Sequence, residues 1–84
     1  MVTVKLFGTL RLDSGIRVLT AEADNVRALY PLVLAEIRKQ KLDCGVTEKT
    51  LRACLVAVNG ERVSPRAKLR DGDTVCLFPA VAGG

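Results

Sequence analysis

One stretch of this 84-residue chain carries the apolar spacing of an amphipathic helix, and that limits what the remainder can be. Val26, Leu29, Tyr30, Val33 and Ile37 fall at i, i+3, i+4, i+7 and i+11, a single stripe on a helical surface. Asp24-Asn25 precedes it with side-chain oxygens able to accept from the free amides of a first turn. Arg38, Lys39 and Lys41 suit the negative end of the helix dipole. The spacing predicts a helix from residue 26 to about Gln40 or Lys41, bent at Pro31, whose ring removes one hydrogen bond. A lone helix must bury its stripe against another layer, and the other apolar segments read as strands.

Val2, Val4 and Leu6 alternate with Thr3, Lys5 and Phe7, the period of a half-buried strand. Asp13-Ser14-Gly15 has turn chemistry, and residues 16–20 read as a second strand, so an N-terminal hairpin is expected. Residues 43–50 are a polar connection. A third strand opens at Leu51 or Arg52 and runs through Val58. Asn59-Gly60 tolerates positive φ at both positions and turns the chain into a short strand at residues 61–63. Pro65 marks a loop, Asp71-Gly72-Asp73 another turn, and residues 74–78 the last strand. The expected order is β-β-α-β-β-β, an α+β domain with a mixed sheet packed on one main helix and the first and last strands near its centre. The domain occupies residues 1–78, and residues 79–84 are expected to project as a flexible tail. The expected core is Leu6, Val26, Leu29, Val33, Ile37, either Leu55 or Val56, Val75 and Leu77.

Composition excludes most conventional catalysis. A chain this short buries about 60–65% of its unfolded surface, which leaves little room for an enclosed active site. It has no histidine, so the commonest general base and the Ser/His and Cys/His pairs are missing. Three cysteines at scattered spacings read as reduced thiols rather than a zinc site. No bilayer-spanning run or secretory signal is visible, and a cytoplasmic location is expected. The net charge of +4 includes a cluster at Arg62, Arg66, Lys68 and Arg70, suited to a solvated loop or to an acidic partner. Nucleic acid is not expected as a partner, because no aromatic residues interleave with these cations.

Two features remain. The chain ends in Gly83-Gly84, and a residue without Cβ lets a terminal carboxylate enter a narrow channel in another protein. Side-chain parity is the second. If Val4, Leu6, Val75 and Leu77 point inward, Phe7 and Phe78 point outward. In neighbouring strands they would form an exposed aromatic patch at the root of the tail.

The ordered set Val4-Lys5-Leu6-Phe7-Gly8-Thr9-Leu10-Arg11, Asn25-Val26-Arg27-Ala28-Leu29, Val58-Asn59-Gly60-Glu61-Arg62-Val63, Leu69-Arg70-Asp71-Gly72-Asp73-Thr74-Val75 and Phe78-Pro79-Ala80-Val81-Ala82-Gly83-Gly84 resembles the small subunits of molybdopterin synthase. More distantly, it is similar to the thiazole-forming and other ubiquitin-like sulfur carriers. The resemblance implies a ubiquitin-like β-grasp fold and a non-catalytic, sulfur-donating role. In that role an adenylyltransferase akin to ubiquitin-activating enzymes uses ATP and Mg²⁺ to adenylate the Gly84 carboxylate, and a sulfurtransferase replaces AMP by sulfur. The large synthase subunit then receives the thiocarboxylate. No cofactor is implied for the chain itself. Gly84 is implied as the modified residue and Gly83 as its slim neighbour. Phe7, Arg11, Arg62, Phe78, Pro79 and Val81 are implied for partner docking. Two departures keep other branches open. Arg62 stands where the docking face often carries an apolar residue, and Ala80 replaces a frequent second proline. The ending also looks like carriers serving cysteine biosynthesis. Thiazole or tRNA-thiolation supply and conjugation to proteins remain alternatives.

Overall fold

The first and last strands lie side by side in the sheet, in parallel register. In this computed structural model, which describes residues 1–41 and 45–79, β1 (Val2–Leu6) and β5 (Thr74–Phe78) pair Val4 with Val75 and Leu6 with Leu77. β2 (Val18–Ala21) flanks β1 antiparallel, and β3 (Leu55–Val58) and β4 (Glu61–Val63) extend the other side, giving the order β2-β1-β5-β3-β4. Alternation along each strand sends Val2, Val4, Leu6, Val56, Val75 and Leu77 to one face, all nearly fully buried. Against that face lies α2 (Val26–Gln40), whose stripe of Val26, Leu29, Tyr30, Val33 and Ile37 is buried to the last residue. Asn25 Oδ1 caps it by accepting from the Ala28 amide at 2.8 Å, and Pro31 lies inside the helix. The mixed sheet grasping one main helix is the β-grasp arrangement expected from the sequence.

Two short helices were not expected. The hairpin turn placed at Asp13-Ser14-Gly15 is instead the end of α1 (Gly8–Ser14), although β1 and β2 are still antiparallel neighbours. Leu10 and Ser14 are its buried side, and Gly15 closes it in the left-handed region at φ 73°, its amide donating to Arg11 O. The second strand accordingly begins at Val18 rather than residue 16. Leu51 and Arg52 do not open the third strand; they end α3 (Glu48–Arg52), which starts inside the connection read as residues 43–50. Thr47 and Thr50 cap it reciprocally, Arg52 pairs with Glu48 at 3.3 Å, and Leu51 is fully buried. Neither helix has more than two buried residues, too few to produce a readable period. Of the pair left open, Val56 is core and Leu55 faces out.

A polar clasp fixes the Asn59-Gly60 turn to the start of β5. Asn59 takes φ 51°, its Nδ2 donates to Asp73 Oδ1 at 2.9 Å, and its Oδ1 accepts from the Thr74 amide at 3.0 Å. The Arg70 amide donates to Asp73 Oδ2, and this bond, then that from Asn59, holds the Asp73 carboxyl below the usual carboxylate range. A depressed folded-state pKa stabilises the fold above the ordinary carboxylate value of about 4, and the contribution is lost as pH falls through the folded value. Thermal unfolding followed from neutral to acid pH should therefore show a smaller acid loss for Asp73→Asn than for the parent, with lower stability at neutral pH.

Candidate functional site: an open sheet face beside the end of the last strand

With α2 covering one face, the register lays out the other in rows. Thr20, Thr3 and Thr74 form one end. Val18, Lys5, Cys76, Ala57 and Arg62 form the middle row. At the far end Phe78 sits opposite Leu55 and stacks on Phe7, ring centroids 4.6 Å apart and planes 13° from parallel. Phe78 is 39% exposed, Leu55 42% and Val18 54%, so the parity argument for an outward aromatic patch holds. The two rings cover one another in part, and Phe7 is half-buried.

Cations rim this patch. Lys5, Arg11, Arg17 and Val18 share with Phe7 a shallow cleft beside the stack. Arg11 is exposed on α1 and lines the same shallow cleft as Phe7. Arg62 is exposed on the edge strand β4, at the end of the middle row beyond Ala57. The fold thus separates the basic run of the sequence. Arg62 belongs to the open face, whereas Arg66 lines a different cleft together with Arg27, Tyr30 and Arg52.

The exit of the chain from β5 is also fixed. Pro79 is half-buried, and its Cγ lies 3.1 Å from where a Cβ on Gly8 would be. Gly8 itself takes φ 60°, a left-handed backbone that favours glycine, and a Cβ added there would need the Pro79 ring to give by a few tenths of an ångström. Gly8 at the head of α1 therefore lies close against the residue that follows β5, and the tail expected beyond Pro79 falls outside the described residues. Val81, Gly83 and Gly84 lie outside the described residues.

Sequence reasoning assembled Phe7 and Phe78 and missed Leu55, Val18, Lys5 and Arg17. The strand alternation carried the signal for Leu55 once Val56 is taken as core. The Gly8–Pro79 contact had none, since positive φ and a close approach follow from the path of α1. Cys76 sits in the middle of the open face, and Cys54 is buried with its thiol donating to Thr50 O and pushed up in pKa by that burial.

Taken together, the mixed sheet and the helix across one face define a ubiquitin-like domain with its other sheet face open. Residues 4–84 match the sequence pattern of the ThiS family, and the chain belongs to that family. No curated protein matches it in sequence. Among solved structures, the chain is similar to that of the Amycolatopsis orientalis BexX/CysO complex, at 30% identity with 100% of both chains covered and a TM-score of 0.64. It is similar to SAMP1 of Haloferax volcanii at 30% identity, over 99% of this chain and 98% of that one, with a TM-score of 0.64. It also resembles a chain of the complex of subunits 1 and 2 of the molybdopterin-converting factor from Helicobacter pylori 26695. That match has 25% identity over 99% and 97% of the two chains and a TM-score of 0.61. Among the described residues, no helix is long and apolar enough to cross a membrane.

Proposed function

We propose that this chain carries sulfur as a thiocarboxylate on Gly84 and delivers it as the small subunit of a molybdopterin synthase. The observation that carries this reading is the stacked Phe7–Phe78 pair on the open face, with Phe78 only five positions before Gly83 in the sequence. A partner that grips the aromatic patch holds the root of the tail, and the remaining residues span the distance to its reaction centre. The chemistry belongs to the partners. An adenylyltransferase with ATP and Mg²⁺ joins AMP to the terminal carboxylate and releases pyrophosphate, and a sulfurtransferase then displaces AMP by sulfur. The large synthase subunit takes that sulfur from the docked tail. Phe7, Phe78, Pro79 and Val81 supply the apolar part of the contact, and Arg11 and Arg62 its basic rim.

Reconstitution tests the branch: thiocarboxylated chain, large subunit and pterin precursor should yield molybdopterin. A second reading is supply of cysteine biosynthesis, favoured by the ending Pro79-Ala80-Val81-Ala82-Gly83-Gly84 and by Arg62 within the docking rim. Sulfur delivered to a cysteine-forming acceptor, with none reaching the pterin precursor, would decide for it.

The docking face gives its own expected result. Phe78→Ala should weaken binding to the adenylyltransferase and the large subunit by more than about 1 kcal/mol, with the fold retained because the ring is 39% exposed. Calorimetric titration beside a thermal melt separates the outcomes. Unchanged binding removes the patch from the interface, and lost folding makes Phe78 a core residue.

A further inference from the structure

Away from the open sheet face, α2, α3 and the connection from β4 to β5 enclose an open cleft of about 290 Å³ lined by Arg27, Tyr30, Arg52, Ser64, Pro65 and Arg66. Three guanidiniums share this small space. Arg52 is neutralised by Glu48, whereas no carboxylate pairs with Arg27 or Arg66 among the described residues. Their backbones are tied in place. The Arg27 amide donates to Pro65 O at 3.0 Å, the Val26 amide to Ala67 O at 3.0 Å, and the Ala67 amide to Ser64 O at 3.0 Å. Arg27 and Arg66 therefore sit on two segments joined by backbone hydrogen bonds, and Arg52 borders the same cleft from α3. Like charges held together in this way repel unless an anion sits between them.

A second feature, independent of the charges, lies in the lining of the same cleft. Tyr30 is 1% exposed, and its buried hydroxyl has no hydrogen-bond partner, although such groups are nearly always satisfied. Burial pushes its pKa up, followed by the nearby Cys54, with Arg52 opposing, so the phenol keeps its proton and is a donor. Ser64 Oγ already accepts from the Arg66 amide at 3.2 Å, which leaves its own hydrogen to donate.

We propose that this cleft binds a small phosphomonoester. Two unpaired guanidiniums match the charge of a phosphate dianion, and their planar N–H forks match its oxygens two at a time. The Tyr30 and Ser64 hydroxyls serve the remaining lone pairs, and Pro65 forms a wall for the esterified carbon group. A carboxylate offers fewer acceptors and half the charge.

The test is an NMR titration of the full chain with inorganic phosphate and with glycerol phosphate at constant ionic strength, since exposed charge attraction is screened by salt. Saturable shifts should centre on residues 27–30, 52 and 64–66, with glycerol phosphate the tighter ligand. Arg27→Gln with Arg66→Gln should weaken binding by more than about tenfold, the scale of lost charge-assisted hydrogen bonds. Tyr30→Phe should weaken it several-fold with no fall in melting temperature, because the hydroxyl it removes has no partner in the ligand-free fold. Phe78→Ala should leave it unchanged, which separates this site from the docking face. Non-saturating shifts, shifts spread equally over Lys5, Arg11 and Arg17, or full affinity in the double arginine variant would each overturn the proposal. So would saturable binding confined to an acidic protein partner.

Discussion

Deleting Gly84 is expected to abolish sulfur loading while leaving unfolding unchanged within about 0.5 kcal/mol, the usual range for a substitution away from the core. The shortened chain still ends in an α-carboxylate, so its acidity and its chemical type are unaltered. What changes is reach: one residue of extended chain is about 3.5 Å. A misplacement of about 1 Å at a reacting atom can already cost on the order of a hundredfold in rate. One residue added after Gly84 should be as damaging, since the carboxylate then sits on the wrong atom. Gly83→Val should fail for a separate reason, a β-branched side chain that blocks threading. In the proposed reading the anchor for all three is the Phe7–Phe78 stack, which a partner would hold while the terminal carboxylate reaches its reaction centre. ATP-dependent adenylation by the cognate enzyme, followed by mass spectrometry of the C-terminal peptide, reads each variant. Loading of the Gly84 deletion equal to that of the full chain would take the function away from the diglycine.

Leu77→Ala is expected to lower the unfolding free energy by about 2–4 kcal/mol, from the lost burial and the cavity left behind. Leu77 is 1% exposed, pairs with Leu6 and Val56 on either side, and faces the stripe of α2. No loop at this position can collapse into the gap, because β5 is hydrogen-bonded along both edges. The loss is a large share of the roughly 5–15 kcal/mol that holds a small domain together. Denaturant unfolding measures it directly, and a midpoint unchanged from the parent would mean that the inward and outward faces of β5 have been exchanged. That exchange would also bury Phe78, so this variant and Phe78→Ala check the same parity from opposite sides.

The parts of the fold legible in the sequence are those where a period repeats often enough to be read. The α2 stripe spans five buried positions, and β1 and β5 each alternate over five residues, so the central strands, the helix and the outward aromatic pair all followed. α1 and α3 were not legible because seven and five residues hold at most one turn or two of buried contact. Leu10 and Leu51 are buried by tertiary packing, and no local spacing marks them. The same reason hides the arginine cleft: Arg27, Arg52 and Arg66 are far apart in the chain and line one cleft because the Pro65 and Ala67 carbonyls dock on the first turn of α2 and α3 packs against that helix. The expected run of positive charge at residues 62–70 misled in a useful way, since folding assigns Arg62 and Arg66 to different surfaces. The candidate site was half readable. Its aromatic members came from parity, but the rim of Lys5 and Arg17 and the close approach of Gly8 to Pro79 depend on the path of α1 between β1 and β2.

The most direct measurement is the intact mass of this chain purified from its own host and again after incubation with the adenylyltransferase, ATP and a sulfur donor. The expected result is a species heavier by the difference between one sulfur and one oxygen atom, mapped to Gly84 and sensitive to thiol alkylation. An unmodified mass in both samples, from a chain that binds the adenylyltransferase through its Phe7–Phe78 face, would contradict the assignment of Gly84 as the sulfur-carrying residue.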